Sequence, residues 1–287
     1  MKERVPFVLG LLVCLLLLSI LLSLGYGKNP TILLNGWSVD QGFWLVLKKI
    51  RIPRTIMAFL VGSSLGICGV ALQSMLRNPM AEPYTLGISG GASFGVALAT
   101  ITGLQQYIGM WANPVMGFGG AMLSVAIVYG LARKKSFDPN NMVLFGIVVS
   151  LVFSSFVFFL FCLVDPDKMQ VTLMWLMGDL SSLDIAFIPA YIPLFVVPSL
   201  VMFLFGKELD ILSLGKEKAQ YLGIDPPRLY KGLFLLSSIL TGLCVSSSGI
   251  IGFVGLIVPH VMRGFLGASH TFLLVGSYLG GAFFLIL

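Results

Sequence analysis

Nine apolar runs, at about residues 5–27, 54–76, 84–103, 114–132, 142–164, 185–206, 231–249, 250–267 and 271–287, alternate with short polar punctuation. Each is close to the roughly 20 residues a helix needs to cross a hydrocarbon layer. The pattern therefore predicts an all-α polytopic membrane protein with about nine transmembrane helices. Only Gly249 and its neighbours divide the seventh run from the eighth. The ninth is still apolar where the sequence stops at Leu287, which reads as an incomplete chain. The first run follows Lys2 and Arg4, is longer than the apolar core of a signal peptide, and ends in Ser-Leu-Gly-Tyr-Gly, a poor cleavage site. It reads as a retained span.

Composition agrees. Hydrophobic residues make up 57% of the chain and charged ones 10%, against about 25% charge in ordinary soluble domains. Mean hydropathy is +0.98. Too few polar residues remain to cover a water-facing enzyme domain carried on a single anchor. The four cysteines, Cys14, Cys68, Cys162 and Cys244, stand singly in apolar runs without metal-ligand or disulfide spacing. Neither a metal site nor a cofactor is expected.

A net charge of +6 would point to nucleic acid in a soluble chain; here it is read first as topology. With a cytoplasmic N-terminus in the cell membrane, 12 of the 18 Lys and Arg residues fall inside. The six outside are Lys28, Lys48, Lys49, Arg51, Arg54 and Lys168, five of them between residues 28 and 54. Such a cluster opposes the insertion rule. An acidic partner on the outer face would explain it, and so would a collar of snorkelling side chains at the head of the second span. No nucleic-acid partner is expected.

All 12 acids fall in loops or at span ends, and the span interiors lack Asp, Glu, Lys and Arg. Ion-coupled secondary transporters usually need buried ionisable groups, so that reading is the weaker alternative. A moved solute would then draw on energy supplied elsewhere. The sequence has no GxxxxGK[ST] phosphate loop, so a separate ATPase would provide it. The longest inside interruption, 207–230, mixes charge with Leu209, Leu212, Leu214, Ala219, Tyr221 and Leu222 at roughly helical spacing. Gly223 is its stop, with Pro226 and Pro227 beyond. It predicts a short amphipathic helix for a partner's groove, or less favourably for the lipid surface.

Gly62/Gly66, Gly91/Gly95 and Gly276/Gly280 have the GxxxG spacing of closely packed membrane helices. Gly87-Ile-Ser89-Gly90 also matches the GxSG of intramembrane serine proteases, with His260 as the conceivable base. Nothing in the spacing brings Ser89 and His260 together, and helix packing accounts for Ser89 without chemistry.

Several ordered motifs carry a family resemblance. They are Arg51-Ile-Pro-Arg54-Thr55; Gly69-Val-Ala-Leu-Gln73; Arg77-Asn78-Pro79-Met80-Ala81-Glu82-Pro83-Tyr84-Thr85-Leu86-Gly87-Ile88-Ser89-Gly90-Gly91-Ala92; Trp175-Leu-Met-Gly178; Leu214 through Gly223; and Gly249 through His260. In this order, from about residue 45 onward, the chain resembles the FecCD family of ABC importer permeases, which carry ferric siderophores, haem, cobalamin or oxyanions.

The resemblance implies one transmembrane permease domain over 1–287, with nine helices present of an expected ten and the C-terminal part missing, and a cytoplasmic coupling region at 207–230. It implies a second permease subunit (an identical copy or a related half), a cytoplasmic ABC ATPase dimer, and an extracytoplasmic substrate-binding protein. Arg51 and Arg54 match the family's docking arginines. Residues 214–225 match its ATPase-coupling helices, at Leu214, Gly215, Glu217, Ala219, Leu222 and Gly223. Asn78, Pro79 and Met80 match a cytoplasmic gate, with Pro139 and Asn140 near its companion loop. Members usually run longer, and a third docking arginine beyond the ninth span is not located. The expected function is import of a ferric siderophore or related chelate, with ATP hydrolysed on another subunit.

Overall fold

The computed structural model describes residues 4–25, 41–181 and 185–287, and among these every regular element is helical. Lys28 and Asp184 lie outside the described residues. We number the helices α1 Arg4–Gly25, α2 Gln41–Val46, α3 Ile52–Met75, α4 Ile88–Thr102, α5 Gln105–Ile108, α6 Ala112–Arg133, α7 Pro139–Phe161, α8 Pro166–Leu176, α9 Ile188–Leu204, α10 Gly206–Ser213, α11 Lys216–Tyr221, α12 Pro226–Ser248, α13 Val254–Leu266 and α14 His270–Ile286. A π-helical turn, Leu47–Arg51, joins α2 to α3, so Trp44–Met75 runs as one 32-residue span.

Each of the nine predicted runs has a helix, but they are not nine equal spans. Five helical stretches are long and apolar enough to cross a membrane, or six if α9 and α10, bent by 48° at their junction, count as one. The runs at 84–103, 250–267 and 271–287 hold shorter helices of 15, 13 and 17 residues. Hydropathy measures only how long a run stays apolar. The first of these runs begins in a 3-10 turn, Pro83–Leu86, and the second in non-helical backbone, as described below.

Polarity is inverted relative to a soluble bundle. Helix α3 lies at the centre, buried almost continuously from Met57 to Met75 and packed by α9, α12, α13 and α14. Ser64, Ser237, Ser238, Thr241 and Ser277 are buried, whereas Phe7, Leu17, Leu21, Phe158, Leu200 and Leu204 point outward. Lipid offers no hydrophobic gain for sequestering large apolar groups, so small residues occupy the contacts and bulky ones face out. Gly62 and Gly66 illustrate this, because a Cβ on either would strike the carbonyl of Gly281 or Ser277 on α14. Gly91 and Gly95 admit the backbone of α6 in the same way, at Gly120 and Met116. Gly276 and Gly280 make room instead for side chains of α13.

Two segments outside the α-helices enter this bundle, one of them holding a 3-10 turn at Pro83–Leu86. Residues 76–87 leave α3 and fold back, so that Pro83 meets Gly255 beside the carbonyl of Leu65, halfway along α3. Gly87, at φ 84°, starts α4 there, and Ser124 Oγ donates to its carbonyl at 2.7 Å, midway along α6. Residues 249–253 leave α12 and descend to the same level, where α13 starts after Phe253, at φ 68°. Helix α8 reaches inward from the opposite side, with the Trp175 carbonyl against Gly249. Irregular backbone at such depth persists only where protein groups satisfy it.

Candidate docking, coupling and gate sites

At one end of the bundle α1, the Leu47–Arg51 turn, α3 and the last residues of α14 enclose a cleft of about 840 Å³. Arg51 and Arg54 both line it, but their surroundings differ. Arg51 Nη1 donates to the carbonyl of Leu24 at 2.7 Å, in the last turn of α1. A cation at a helix C-terminus satisfies an orphan carbonyl and the helix dipole together. Arg54 is exposed, with no hydrogen bond or ion pair to another described residue. Lys48 and Lys49 are also exposed on this rim, Lys48 lying 5.9 Å from the ring centroid of Trp44.

At the other end the 207–230 interruption forms two short helices rather than one. Gly215, at φ 120° and ψ 151°, breaks it between α10 and α11, in a backbone region only glycine enters readily. Gly223, at φ 84°, ends it as anticipated, and α12 starts at Pro226 with Asp225 as N-cap, its Oδ1 accepting from the Arg228 amide at 3.4 Å. Within this region Ala219 is fully buried while Leu214, Tyr221 and Leu222 are 56%, 91% and 58% exposed. Glu217 is exposed too. These exposed apolar groups form a surface that α10 and α11 do not themselves cover.

Helix α10 is fixed to the bundle. Gly206 packs on Thr271, and one turn later Asp210 Oδ1 lies 2.7 Å from both the amide and the Nδ1 of His270. On the same end Arg77, at φ 47°, donates from Nη2 to the Leu212 carbonyl at 3.4 Å. The loop with the predicted gate residues therefore touches the predicted coupling region directly.

Within that loop Asn78 Oδ1 accepts from the Met80 amide at 2.9 Å, and the Asn78 carbonyl accepts from Ala81 at 3.0 Å. This turn leaves Met80 68% exposed. Pro139 and Asn140 begin α7, whose N-cap Asp138 accepts from the Asn141 amide at 3.1 Å. The two predicted gate segments are joined higher up, where Gly146 packs on the backbone of Thr85 and Leu86.

Sequence reasoning missed the side chains beside this loop. Gln73 Nε2 donates to the carbonyls of Gly255 and Leu256 at 3.4 and 3.3 Å. Tyr84 Oη donates to the Ile251 carbonyl at 3.1 Å, and Glu82 Oε1 accepts from the Phe253 amide at 2.6 Å. Three side chains from 73–84 thus satisfy backbone groups in 251–256. Glu82 is in a loop, as expected, but beside Pro83, which reaches Gly255 and the Leu65 carbonyl midway along α3. The available signal was one Gln inside an apolar span and one Glu beside an uninterrupted Pro-Tyr-Thr-Leu-Gly run.

The protease constellation does not assemble. The Ser89 carbonyl accepts from Ser93 Oγ at 2.7 Å in the first turns of α4, whereas His260 is exposed on α13, and no hydrogen bond joins the pair. Among the described residues no group of three or more His, Cys, Asp or Glu could hold a metal ion.

Residues 15–287 match the family model described as the FecCD transport family. The chain is 32% identical over 279 residues to the hemin transport system permease protein HmuU of Yersinia pestis, covering 95% of this chain and 84% of that one. It is 34% identical over 269 residues to the Fe(3+) dicitrate transport system permease protein FecD of Escherichia coli, covering 93% and 83%. A solved structure described as an inward-facing conformation of a metal-chelate type ABC transporter superposes with a TM-score of 0.85 at 31% identity, covering 98% of this chain and 88% of that one. With its multi-pass helical bundle, this chain belongs to the FecCD transport family and is an ABC transporter permease subunit rather than an enzyme.

Proposed function

We propose that this permease imports a ferric siderophore or related metal chelate across the cell membrane, with its N-terminus and the α10–α11 end cytoplasmic. The observation that carries the reading is the pairing of two opposite surfaces. One end presents the exposed Arg54 with Lys48 and Lys49, and the other presents exposed Leu214, Tyr221 and Leu222. A charged rim suits diffusional capture of an acidic protein, and an apolar patch rimmed by charge suits a standing protein contact.

In this reading a loaded substrate-binding protein docks on the Arg54 rim, and Arg51 holds the α1–α3 corner on which Arg54 stands. A cytoplasmic ABC ATPase dimer grips α10 and α11 through Leu214, Gly215, Glu217, Ala219, Leu222 and Gly223. Ala219 and the two glycines fix the shape of that surface, and Leu214, Glu217 and Leu222 make the contact. A second permease subunit, identical or related, completes the path. ATP binding moves the coupling region, and Asn78, Pro79 and Met80 with Pro139 and Asn140 open or close the inner end. Residues 1–287 act as one transmembrane domain, with 207–230 as its coupling region.

The permease binds the chelate loosely and leaves chelate selection to the binding protein, since a site that held the cargo tightly would not release it. Reconstitution with the ATPase and binding protein tests this: Arg54→Glu abolishes stimulation of ATP hydrolysis by loaded binding protein while the complex still assembles. Undiminished stimulation contradicts the docking role.

A further inference from the structure

We infer that Glu82 is a positioning residue that ties the 76–87 loop to the start of α13, so that loop and helix move as one body when the coupling region moves. The inference rests on the importer reading above and extends it to residues that reading leaves without a role.

Four observations converge. First, Glu82 Oε1 takes the amide of Phe253 at 2.6 Å, the residue from which α13 springs. That amide is one of the first of α13, which the helix itself leaves without a partner. Second, a neighbouring contact runs between the same two segments: Tyr84 Oη donates to the Ile251 carbonyl. Third, the two segments are in van der Waals contact, with no room for a Cβ at Gly255 against the ring of Pro83. Fourth, both segments hold non-glycine residues in left-handed backbone, Arg77 at φ 47° and Phe253 at φ 68°. Such conformations persist only where surrounding contacts over-determine them.

The loop has a second attachment. Arg77 reaches the Leu212 carbonyl at the end of α10. Force applied to α10 can therefore pass through Arg77 into the loop and through Glu82 into α13, which packs on α14. The Arg77 contact, at 3.4 Å, is long, whereas the Glu82 contact is short.

The test is the number of ATP molecules hydrolysed per chelate imported, measured in proteoliposomes holding the permease, its ATPase and its loaded binding protein. Glu82→Ala is expected to raise that ratio about tenfold, equivalent to about 1.4 kcal/mol of lost coupling. Glu82→Gln keeps an acceptor oxygen and brings the ratio back to within about threefold of wild type. Tyr84→Phe removes only the hydroxyl, keeps the packing, and raises the ratio by a smaller factor. A role in stability alone would lower import and hydrolysis in parallel and leave the ratio fixed, and that result overturns the inference. Failure of Glu82→Gln to improve on Glu82→Ala also overturns it. A wild-type complex that hydrolyses ATP without importing chelate overturns the importer reading itself, and this inference with it.

Discussion

Asp210 caps a helix to which it does not belong. Its Oδ1 lies 2.7 Å from the amide of His270, at the first turn of α14, and 2.7 Å from the Nδ1 of the same residue. Ser269, the N-cap by position, makes no side-chain cap of its own. The capping group comes instead from α10, so the coupling region and the helix packed along α3 are joined at a helix terminus. Asp210→Ala is expected to destabilise the solubilised permease by about 1–2 kcal/mol, the usual value of a cap. Asp210→Asn, which keeps an acceptor, is expected to lose less than half of that. Denaturation midpoints of the purified protein measure both.

Arg51 and Arg54, adjacent in one sequence motif, are expected to fail in different ways. Arg51→Ala leaves the Leu24 carbonyl without its partner and lowers stability by about 1–3 kcal/mol. Arg54→Ala removes an exposed cation and leaves stability within about 0.5 kcal/mol of wild type. Its effect falls on association with the binding protein, which slows and becomes less sensitive to salt. Thermal unfolding and association rates at two ionic strengths separate the two outcomes.

One substitution made at two glycines should have opposite signs. At Gly69 an added Cβ meets the carbonyl of Gly255, backbone against backbone, so Gly69→Ala is expected to cost about 1–3 kcal/mol through overpacking. At Gly119, in the middle of α6, a Cβ meets nothing within 4 Å. Gly119→Ala there is expected to stabilise by about 0.5–1 kcal/mol, because alanine loses less backbone freedom in a helix. The ordering of the two midpoints is the readout.

Tyr221 and Leu222 are among the most exposed apolar side chains in the α10–α11 region. Replacing both, as Tyr221→Ser with Leu222→Ser, is expected to leave folding intact while weakening retention of the ATPase about tenfold or more, equivalent to roughly 1.4 kcal/mol. Co-purification at matched expression measures it.

Much of this was legible in the sequence because hydropathy and glycine placement are local properties. Each apolar run did become a helix, Gly223 did stop the coupling segment, and Gly62 and Gly66 did mark a close contact. What was not legible is where the chain stops being helical inside an apolar run. Residues 249–253 are apolar enough to be read as span, yet they are irregular, because Tyr84 and Glu82 bond to Ile251 and Phe253 from up to 171 residues away along the chain, and Pro83–Leu86 form a 3-10 turn rather than α-helix. The separation of Arg51 from Arg54 was hidden for the same reason, since the deciding carbonyl belongs to Leu24. Long-range partners of backbone groups leave no periodic trace.

The central claim is that this chain moves its solute with energy taken from a separate ATPase. Uptake of a ferric chelate into proteoliposomes holding the permease, its ATPase and its binding protein tests it most directly. The account predicts accumulation that requires ATP and the binding protein and survives collapse of proton and sodium gradients. Accumulation driven by an ion gradient without ATP would contradict it.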